Sequence, residues 1–206
     1  FAGAGLHRCR TVRFVSRENL MLEIRFHGRG GQGTVVATIL MAKAFFDAGY
    51  WVQSFPLFGV ERRGAPVEAY LRVNSREIRR RTNVYRPDHI VVQDETLLFG
   101  VDVRQGLKPG GWILVNSASA PSPVERYNGF RLAWVDATSI ALENRLGSRT
   151  HPIVNTAMMG ALARVLEMPP MEAVVSAIRE EFPDRQESNI AAAREAFDRL
   201  RILGLI

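Results

Sequence analysis

A glycine-rich segment near the start of the chain has the composition of a phosphate-binding turn. It reads Gly28-Arg29-Gly30-Gly31-Gln32-Gly33, in which the glycines at 28, 30 and 33 have the spacing Gly-x-Gly-x-x-Gly. Because glycine has no side chain, its backbone N–H group can approach a ligand closely. An apolar run to Gly49 follows, with Thr34 as the expected cap, and a helix N-terminus attracts anions. We therefore expect a phosphate or pyrophosphate site with Arg29 as a charge clamp; a tight turn without a ligand is the alternative.

A second segment, from Phe55 to Ala65, gathers charge between two predicted strands. It contains Glu61-Arg62-Arg63-Gly64. Adjacent guanidinium groups at the carboxyl end of a strand suit anion binding, because arginine binds phosphate and carboxylate oxygens with two parallel hydrogen bonds. We expect this loop to lie near the glycine turn and to form one site with it. A salt-bridged surface turn is the alternative interpretation.

Two other nucleotide-binding patterns are incomplete. A dinucleotide site needs an acidic residue at the end of the second strand to hold the ribose hydroxyls. That strand ends with Val52-Gln53-Ser54. A P-loop needs Gly-Lys-Ser or Gly-Lys-Thr, which does not follow the turn. A free-standing NAD(P)-binding, Rossmann-like oxidoreductase is therefore the weaker functional hypothesis.

Side chains for catalysis or metal binding are sparse. Cys9 is the one cysteine, so the chain has no Cys-x-x-Cys pair for zinc or an iron–sulfur centre. His27 ends a predicted strand, where a histidine more often packs or orients than acts as a base. His89 and His151 begin apolar segments without ligand spacing, so we expect them to be structural. We expect no catalytic residue and no metal ligand on this chain.

These segments need a sheet to position them. Apolar and alternating runs predict strands, and apolar residues at helical spacing after Asp136 predict a helical C-terminal third. The predicted strands are Leu22–His27, Tyr50–Ser54, Pro66–Val73, His89–Gln93, Trp112–Asn116 and Arg131–Val135. The predicted helices after Asp136 are Thr138–Leu146, Asn155–Leu166, Met171–Glu181 and Glu187–Leu203, with Asn155-Thr156 as an N-cap or an interface contact. This order predicts a single three-layer α/β/α domain around a largely parallel sheet.

The charge of the chain argues against a nucleic-acid partner. The formal net charge is +6, and half of it lies in residues 1–20, which leaves 23 basic and 20 acidic residues in 21–206. Such a small excess of basic residues produces only a weak electrostatic attraction for the phosphates of a nucleic acid. The run Arg76-Glu77-Ile78-Arg79-Arg80-Arg81 has no interleaved aromatic residue, so it is interpreted as a solvated edge or a partner contact. A nucleic-acid or regulatory module is thus a disfavoured alternative.

The chain also lacks signals for a membrane or for secretion. No apolar run reaches the roughly 18 residues of a spanning helix, and the apolar stretch of a secretory signal is absent. We expect a cytoplasmic protein without membrane contact. Residues 1–20 are expected to be an extension outside the fold, either disordered or upstream of a start at Met21, and the domain to span 21–206. An arginine-rich transit peptide is the less favoured alternative for residues 1–20.

Two loops and two later segments together resemble a known family. The stretches Glu23-Ile24-Arg25-Phe26-His27-Gly28-Arg29-Gly30-Gly31-Gln32-Gly33 and Phe58-Gly59-Val60-Glu61-Arg62-Arg63-Gly64-Ala65-Pro66 are similar to the gamma subunit of pyruvate and other 2-oxoacid:ferredoxin oxidoreductases. Asp136-Ala137-Thr138-Ser139-Ile140-Ala141 and Asn155-Thr156-Ala157-Met158-Met159-Gly160-Ala161-Leu162 are similar to later segments of that family, in the same order. The resemblance covers roughly residues 22–200.

The resemblance implies a subunit of a larger enzyme. Complexes of this family oxidatively decarboxylate a 2-oxoacid with coenzyme A, giving acyl-CoA, carbon dioxide and reduced ferredoxin or another reduced acceptor. The resemblance implies thiamine diphosphate and magnesium on alpha and beta subunits, and iron–sulfur clusters on beta or a ferredoxin-like delta subunit. This chain would pack beside the active site. The identity of the 2-oxoacid stays open.

Coenzyme A is a polyanion, so both loops are candidates to hold it. The candidate residues are Gly28, Arg29, Gly30, Gly31, Gln32, Gly33, Glu61, Arg62, Arg63 and Gly64. Docking of the same arginines to carboxylates of the alpha subunit is the alternative.

Overall fold

The structure, a computed structural model, describes residues 21–57 and 64–206. The expected extension, residues 1–20, lies outside the described residues. Nine strands are present in the described part: β1 Met21–Arg29, β2 Trp51–Leu57, β3 Pro66–Asn74, β4 His89–Val92, β5 Trp112–Asn116, β6 Arg131–Val135, β7 Gly147–Ser148, β8 His151–Pro152 and β9 Arg201–Leu205. Seven of them form one sheet in the spatial order β2-β3-β1-β4-β5-β6-β9, and β7 and β8 form a separate hairpin.

Six α-helices accompany these strands within the same residues. They are α1 Thr34–Asp47, α2 Leu97–Gly100, α3 Ala137–Glu143, α4 Asn155–Leu166, α5 Met171–Glu181 and α6 Gln186–Arg199. Short 3-10 turns lie at Val124–Tyr127 and Pro183–Arg185. None of the helices in 21–57 and 64–206 combines the length and the apolar character needed to cross a bilayer.

The predicted α/β domain with a largely parallel sheet is confirmed. Strand β1 is parallel to β4, β4 to β5 and β5 to β6. Strand β3 is antiparallel to both β1 and β2, so β2 runs in the same direction as β1. Strand β9 is antiparallel to β6. Five of the seven strands of the described sheet therefore point the same way.

Four local features differ from the predictions. The last helix ends at Arg199, and the expected helical residues beyond it belong to β9, which gains its hydrogen bonds from the distant β6. Thr34 is not the cap of α1 but its first residue, because Gly33 is the N-cap at φ 75°. Asn155 is likewise the first residue of α4, after Val154 as N-cap. The strand β2 also extends to Leu57, into the segment expected to be a loop.

The two faces of the sheet are covered unequally. The larger core joins apolar residues of β1 and β3, such as Ile24 and Leu71, to α1 and α3 to α6. The smaller core lies on the other face, where Ile90 and Ile113 of β4 and β5 pack against α2 and Tyr127. The second helical layer is thus thin, and the crossover from β1 lies on the opposite face from the crossover from β4.

The thinly covered face of β1 carries buried charged and polar side chains. Glu23, Arg25 and His27 point to this face, while the alternating residues between them enter the larger core. Arg72 of β3 is opposite Glu23, is 1% exposed, and donates from Nε to the Glu23 carboxylate at 2.8 Å. Arg25 donates to the carbonyl oxygen of Val103 at 2.9 Å. These pairings satisfy charges that burial would otherwise penalise by several kcal/mol.

The position of α4 depends on a glycine. A Cβ atom at Gly160 would lie 1.8 Å from the carbonyl oxygen of Ala193 in α6, a distance no real contact reaches. The glycine therefore lets the two helix backbones touch. Because α4 begins at Asn155, next to the glycine turn, this contact also sets one boundary of the candidate site.

We expect Gly160→Ala to destabilise the protein although alanine favours helices. The added methyl group forces α4 and α6 apart, and overpacking costs about 1–3 kcal/mol of unfolding free energy. Thermal unfolding should show a fall of roughly 2–4 °C per kcal/mol. Gly100→Ala is the control, because a Cβ there meets nothing within 4 Å. An unchanged melting temperature for Gly160→Ala would contradict the tight helix contact.

Candidate functional site

The glycine turn lies at the carboxyl end of β1, beside the end of β4. The crossovers from these parallel neighbours lie on opposite faces, so the site occupies a topological switch point, where open α/β sheets bind ligands. Gly31 and Gly33 have φ of 93° and 75°, which favours glycine. A Cβ at Gly31 would meet nothing within 4 Å, so this position opens to the surface.

Gly28 has a different role from the one expected. A Cβ at Gly28 would lie 2.0 Å from the Thr34 hydroxyl oxygen and 2.9 Å from Oε1 of Gln93. Thr34 donates to that Gln93 oxygen at 2.7 Å. Gly28 is thus required for packing beneath the turn, where the first residue of α1 is bonded to the residue after β4.

The second predicted loop returns to the glycine turn. Gly30 N donates to the Ala65 carbonyl oxygen at 2.9 Å, and Gly64 N donates to the Gly30 carbonyl oxygen at 3.1 Å. The expected proximity of the two loops is thereby found for Gly64, whose φ is 81°. The predicted site residues Glu61, Arg62 and Arg63 lie outside the described residues.

Arg29 and Gln32 are held by Asp94, the second residue after the end of β4. Arg29 Nε donates to the Asp94 carboxylate at 3.1 Å, and its other nitrogens donate to the Gly64 carbonyl and the Thr96 hydroxyl. Gln32 Nε2 donates to Asp94 at 2.9 Å, and its Oε1 accepts from Arg29 N at 2.8 Å. The charge of Arg29 is therefore compensated within the turn. Arg29 joins three chain segments and is not a free clamp.

The pKa of Asp94 reflects this network. Burial raises the pKa of the carboxyl, but hydrogen bonds from Thr96 and Gln32 and the positive charge of Arg29 outweigh burial, so the pKa lies below its ordinary value. Asp94 is thus ionised at neutral pH. Sequence reasoning missed this residue, although its place after a parallel strand at the switch point was a usable signal.

The start of α1 presents unpaired donors. Among the described residues, five backbone N–H groups here have no hydrogen-bond partner, those of Gly31, Gly33, Thr34, Val35 and Val36. The first intrahelical bond runs from Ala37 N to the Gly33 carbonyl at 2.9 Å. No acidic side chain lies in the first turn of α1. Such a cluster of amides at a 14-residue helix carries a partial positive charge and suits an anion.

A groove of about 980 Å³ opens over these amides. The turn and Asp94 line one side, while Val35, Val36 and Val67 add an apolar surface. The opposite wall is Thr150–Ile153, from the β7–β8 hairpin and the residue after it. The volume is near the upper end of the roughly 300–1,000 Å³ of small-molecule sites, enough for a nucleotide-sized ligand.

The three histidines within 21–57 and 64–206 have different settings. Burial and then the charge of Arg25 lower the pKa of His27 to about 3, and Arg25 Nε donates to His27 Nε2 at 3.0 Å. His27 is therefore neutral at physiological pH, so its 3.6 Å approach to Glu68 is not an ion pair. His89 Nδ1 accepts from Trp112 N at 3.0 Å, in agreement with a structural role. His151, also expected to be structural, lines the groove.

The described residues do not have the arrangement of a metal site or of a dinucleotide-binding site. In 21–57 and 64–206, no group of three or more histidine, cysteine or acidic side chains could hold a metal ion. The antiparallel strand β3 separates β1 from β2. The end of β2 is therefore not next to the glycine turn, where a dinucleotide site would place its ribose-binding acid.

Comparisons with known proteins agree on one family. The family model described as pyruvate ferredoxin/flavodoxin oxidoreductase matches residues 23–199. The chain is similar to the pyruvate synthase subunit PorC of Methanothermobacter marburgensis, with 48% identity over 185 residues, which are 89% of this chain and all of that protein.

Solved structures give the same result. The chain is similar to the pyruvate oxidoreductase subunit PORC of Thermotoga maritima, with a TM-score of 0.76 and 36% identity over 89% of this chain and 98% of that one. It also shares its fold with part of the 2-oxoglutarate:ferredoxin oxidoreductase of Magnetococcus marinus, whose structure contains 2-oxoglutarate, coenzyme A and succinyl-CoA. That match has a TM-score of 0.67 and 23% identity, over 86% of this chain and 30% of that one.

We expect Asp94→Asn to destabilise the protein at neutral pH by about 1–2 kcal/mol, because Arg29 loses its charge partner. A carboxyl with a lowered folded pKa stabilises the fold above its unfolded pKa, and this contribution is lost as pH falls through the folded pKa. The stability difference between wild type and Asp94→Asn should therefore become smaller as the pH falls below 3.8, the ordinary pKa of an aspartate carboxyl. Denaturant unfolding of the wild-type protein and of Asp94→Asn, at several pH values between 7 and 3, measures this difference in stability.

Asp102→Asn is the matched control. Asp102 also pairs with an arginine, Arg104, at 3.4 Å, but its side chain is 64% exposed. We expect a change within about 0.5 kcal/mol for this surface variant. Equal losses for the two variants, or an Asp94→Asn deficit independent of pH, would contradict the central role of Asp94.

Proposed function

This chain belongs to the pyruvate ferredoxin/flavodoxin oxidoreductase family, and from that premise we propose that it is the gamma subunit of a thiamine diphosphate-dependent 2-oxoacid:acceptor oxidoreductase. In the proposed reaction the 2-oxoacid loses its carboxyl group as carbon dioxide. The remaining acyl carbon forms a thioester bond with the sulfur of coenzyme A, and two electrons pass to ferredoxin or another acceptor. We further propose that residues 21–206 form the subunit domain and that residues 1–20 lie outside it.

In this proposal the redox chemistry takes place on partner chains. Thiamine diphosphate and magnesium belong to alpha and beta subunits, and the iron–sulfur clusters to beta or a ferredoxin-like delta subunit. One cysteine in the whole chain is too few for the usual four thiolate ligands of a cluster. The contribution of the gamma subunit is then to bind and orient a substrate, and the substrate it fits best is coenzyme A.

The observation that carries this assignment is the set of unpaired amides beneath the groove. Coenzyme A has a pyrophosphate and a 3′-phosphate, and phosphate oxygens are suitable acceptors for the N–H groups of Gly31, Gly33 and Thr34. Gly31 has no neighbour within 4 Å of a Cβ position, so a phosphate can approach its backbone. The groove is large enough for the nucleotide part of the ligand.

Arg29 takes a different part in this proposal from the one expected from the sequence. Its guanidinium is occupied by Asp94, Thr96 and the Gly64 carbonyl, so its function is to hold the turn in a binding conformation. Arg62 and Arg63 remain the candidate cations from the second loop. The competing proposal for them is docking to carboxylates of the alpha subunit.

The proposal predicts that this chain co-purifies with partner chains that bear iron–sulfur clusters, and that Gly31→Ala impairs coenzyme A use in that complex. The new methyl group would stand between a phosphate and the amides. We expect the KM for coenzyme A to rise about 10–150-fold, the equivalent of one lost charge-assisted hydrogen bond, with little change in the KM for the 2-oxoacid. Steady-state assays of the intact complex measure both values.

Gly129→Ala is the control for backbone strain. Gly129 has a similar φ of 85°, also has nothing within 4 Å of a Cβ position, and does not line the groove. Both variants should lose similar thermal stability, and only Gly31→Ala should affect coenzyme A. If the two variants are kinetically alike, the turn is not the coenzyme A site.

The two arginines of the second loop give a further prediction. If they bind coenzyme A, Arg62→Gln or Arg63→Gln in the assembled complex should raise its KM by about 10–150-fold, while carbon dioxide release before coenzyme A acts stays nearly unchanged. Size-exclusion chromatography accompanies the assay. Dissociation of the complex, with normal coenzyme A kinetics in the assembled remainder, would identify them as docking residues and contradict the binding assignment.

A further inference from the structure

The arginine-rich run that was interpreted as a solvated edge or a partner contact lies in the irregular connection between β3 and β4. We call residues 75–86 of this connection the basic loop. It contains five arginines and one acidic residue, Glu77. None of its residues lines the groove over the glycine turn. The basic loop therefore belongs to a different part of the surface.

Buried side chains hold the main chain of the basic loop. Arg72 of β3 is 1% exposed. Its terminal nitrogens donate to three carbonyl oxygens of the loop, those of Arg80, Thr82 and Asn83. Gln53 Nε2 of β2 donates to the carbonyl oxygen of Ile78 at 3.1 Å. The basic loop is thus ordered before a partner binds, which lowers the entropy cost of binding.

Two arginines of the basic loop are available to another chain. Arg81 is exposed and makes no ion pair or hydrogen bond with a described residue. Arg79 pairs with Glu77 at 3.0 Å, but the two side chains are 85% and 55% exposed. Such a surface pair contributes little, so Arg79 can accept a second carboxylate. Arg80 differs, because it approaches the buried carboxylate of Glu23 at 3.5 Å.

The basic loop forms one wall of a groove at the edge of the sheet. This edge groove has a volume of about 800 Å³ and is lined by residues 52–55 of β2 and residues 79–81 of the loop, among others. Successive residues of a strand point to opposite faces, so a groove that touches four in a row follows the strand edge. Among the described residues, β2 is the last strand on this side and pairs with β3 alone. Its outer edge therefore presents unpaired backbone N–H and C=O groups.

We propose that the edge groove binds an extended acidic segment of a partner subunit. The segment adds to β2 as a further strand through main-chain hydrogen bonds, as extended segments do at exposed sheet edges. Its carboxylates pair with Arg79 and Arg81. A nucleic acid has no peptide backbone to pair with the strand, so the edge favours a protein. The inference rests on the proposed function, because it requires this chain to work within a complex.

Charge reversal in the intact, co-expressed complex tests this docking. Arg79→Glu with Arg81→Glu should raise the concentration at which the complex releases this chain by at least about tenfold, because carboxylates would then face carboxylates. Mass photometry during stepwise dilution measures the release, and circular dichroism checks that the variant folds.

Arg179→Glu with Arg194→Glu is the matched control. Both arginines are exposed, make no ion pair with a described residue and lie outside the edge groove. The charge of the chain changes by the same amount. Equal release from the two double variants overturns the proposal, since the effect would then come from net charge and not from this surface.

Arg81→Lys identifies the occupant while keeping the positive charge. A carbodiimide joins the introduced amine to a carboxylate in contact with it, and mass spectrometry of the complex identifies the product. The expected product joins position 81 to an aspartate or glutamate of a partner subunit. A product that joins two copies of this chain, or no product, contradicts the proposal. A complex that survives charge reversal while oligothymidylate binding is lost would also contradict it, in favour of a nucleic-acid surface.

These outcomes separate the inference from the proposed function. If the wild-type chain co-purifies with cluster-bearing partner chains but both double variants behave alike, the inference alone is wrong. If the wild-type chain co-purifies with no partner chain, the proposed function is wrong as well.

Discussion

The Asp94 carboxylate connects the segments around which the candidate site is built. It follows β4, and it binds the guanidinium of Arg29 and the amide of Gln32 at the end of β1. Arg29 in turn binds the Gly64 carbonyl, so the second loop returns to the same point. With these side chains bonded to one another, the groups left for a ligand are mainly backbone amides. Backbone amides carry no net charge. Leaving them without an anion therefore costs less free energy than leaving a cluster of cationic side chains unpaired.

Glycines bring the supporting elements close enough for this arrangement. Gly28 allows the Thr34 hydroxyl to pass under β1 and reach Gln93, which anchors the first residue of α1 to the residue after β4. Gly160 allows α4 to touch α6, and α4 begins with Asn155 at the turn. The same residue type thus serves packing at Gly28 and Gly160, whereas Gly31 leaves open space over the turn, which the proposed function uses for ligand access. The spacing of glycines alone does not distinguish these roles.

Much of the framework was predictable from local sequence patterns. Strands β5 and β6 and helices α4 and α5 have the predicted bounds, because each has a clear apolar pattern and a boundary signal. Strand β9 was not predictable in this way, since Ile202 and Leu203 continue the apolar spacing of α6 and only pairing with β6 makes them a strand. Such pairing is non-local, and β-structure depends strongly on context.

The sequence indicated which segments form the candidate site, but it did not indicate which side chains are bonded to one another there. The glycine turn and the nearness of Gly64 followed from the motifs, whereas the neutralisation of Arg29 depends on Asp94, 65 residues away. The hairpin that forms the opposite wall has strands of two residues, too short to leave a periodic signal. A charge in a sequence therefore indicates where an anion could bind, but its hydrogen-bond partners decide whether that charge is available.

Hydrogen–deuterium exchange of the assembled complex tests the central claim most directly, because the claim concerns backbone amides. The measurement compares exchange with and without saturating coenzyme A. A ligand that accepts hydrogen bonds from Gly31, Gly33 and Thr34 should slow exchange in peptides covering residues 31–36 and leave α5 unchanged. Unaltered exchange in residues 31–36 at saturating coenzyme A would contradict the account.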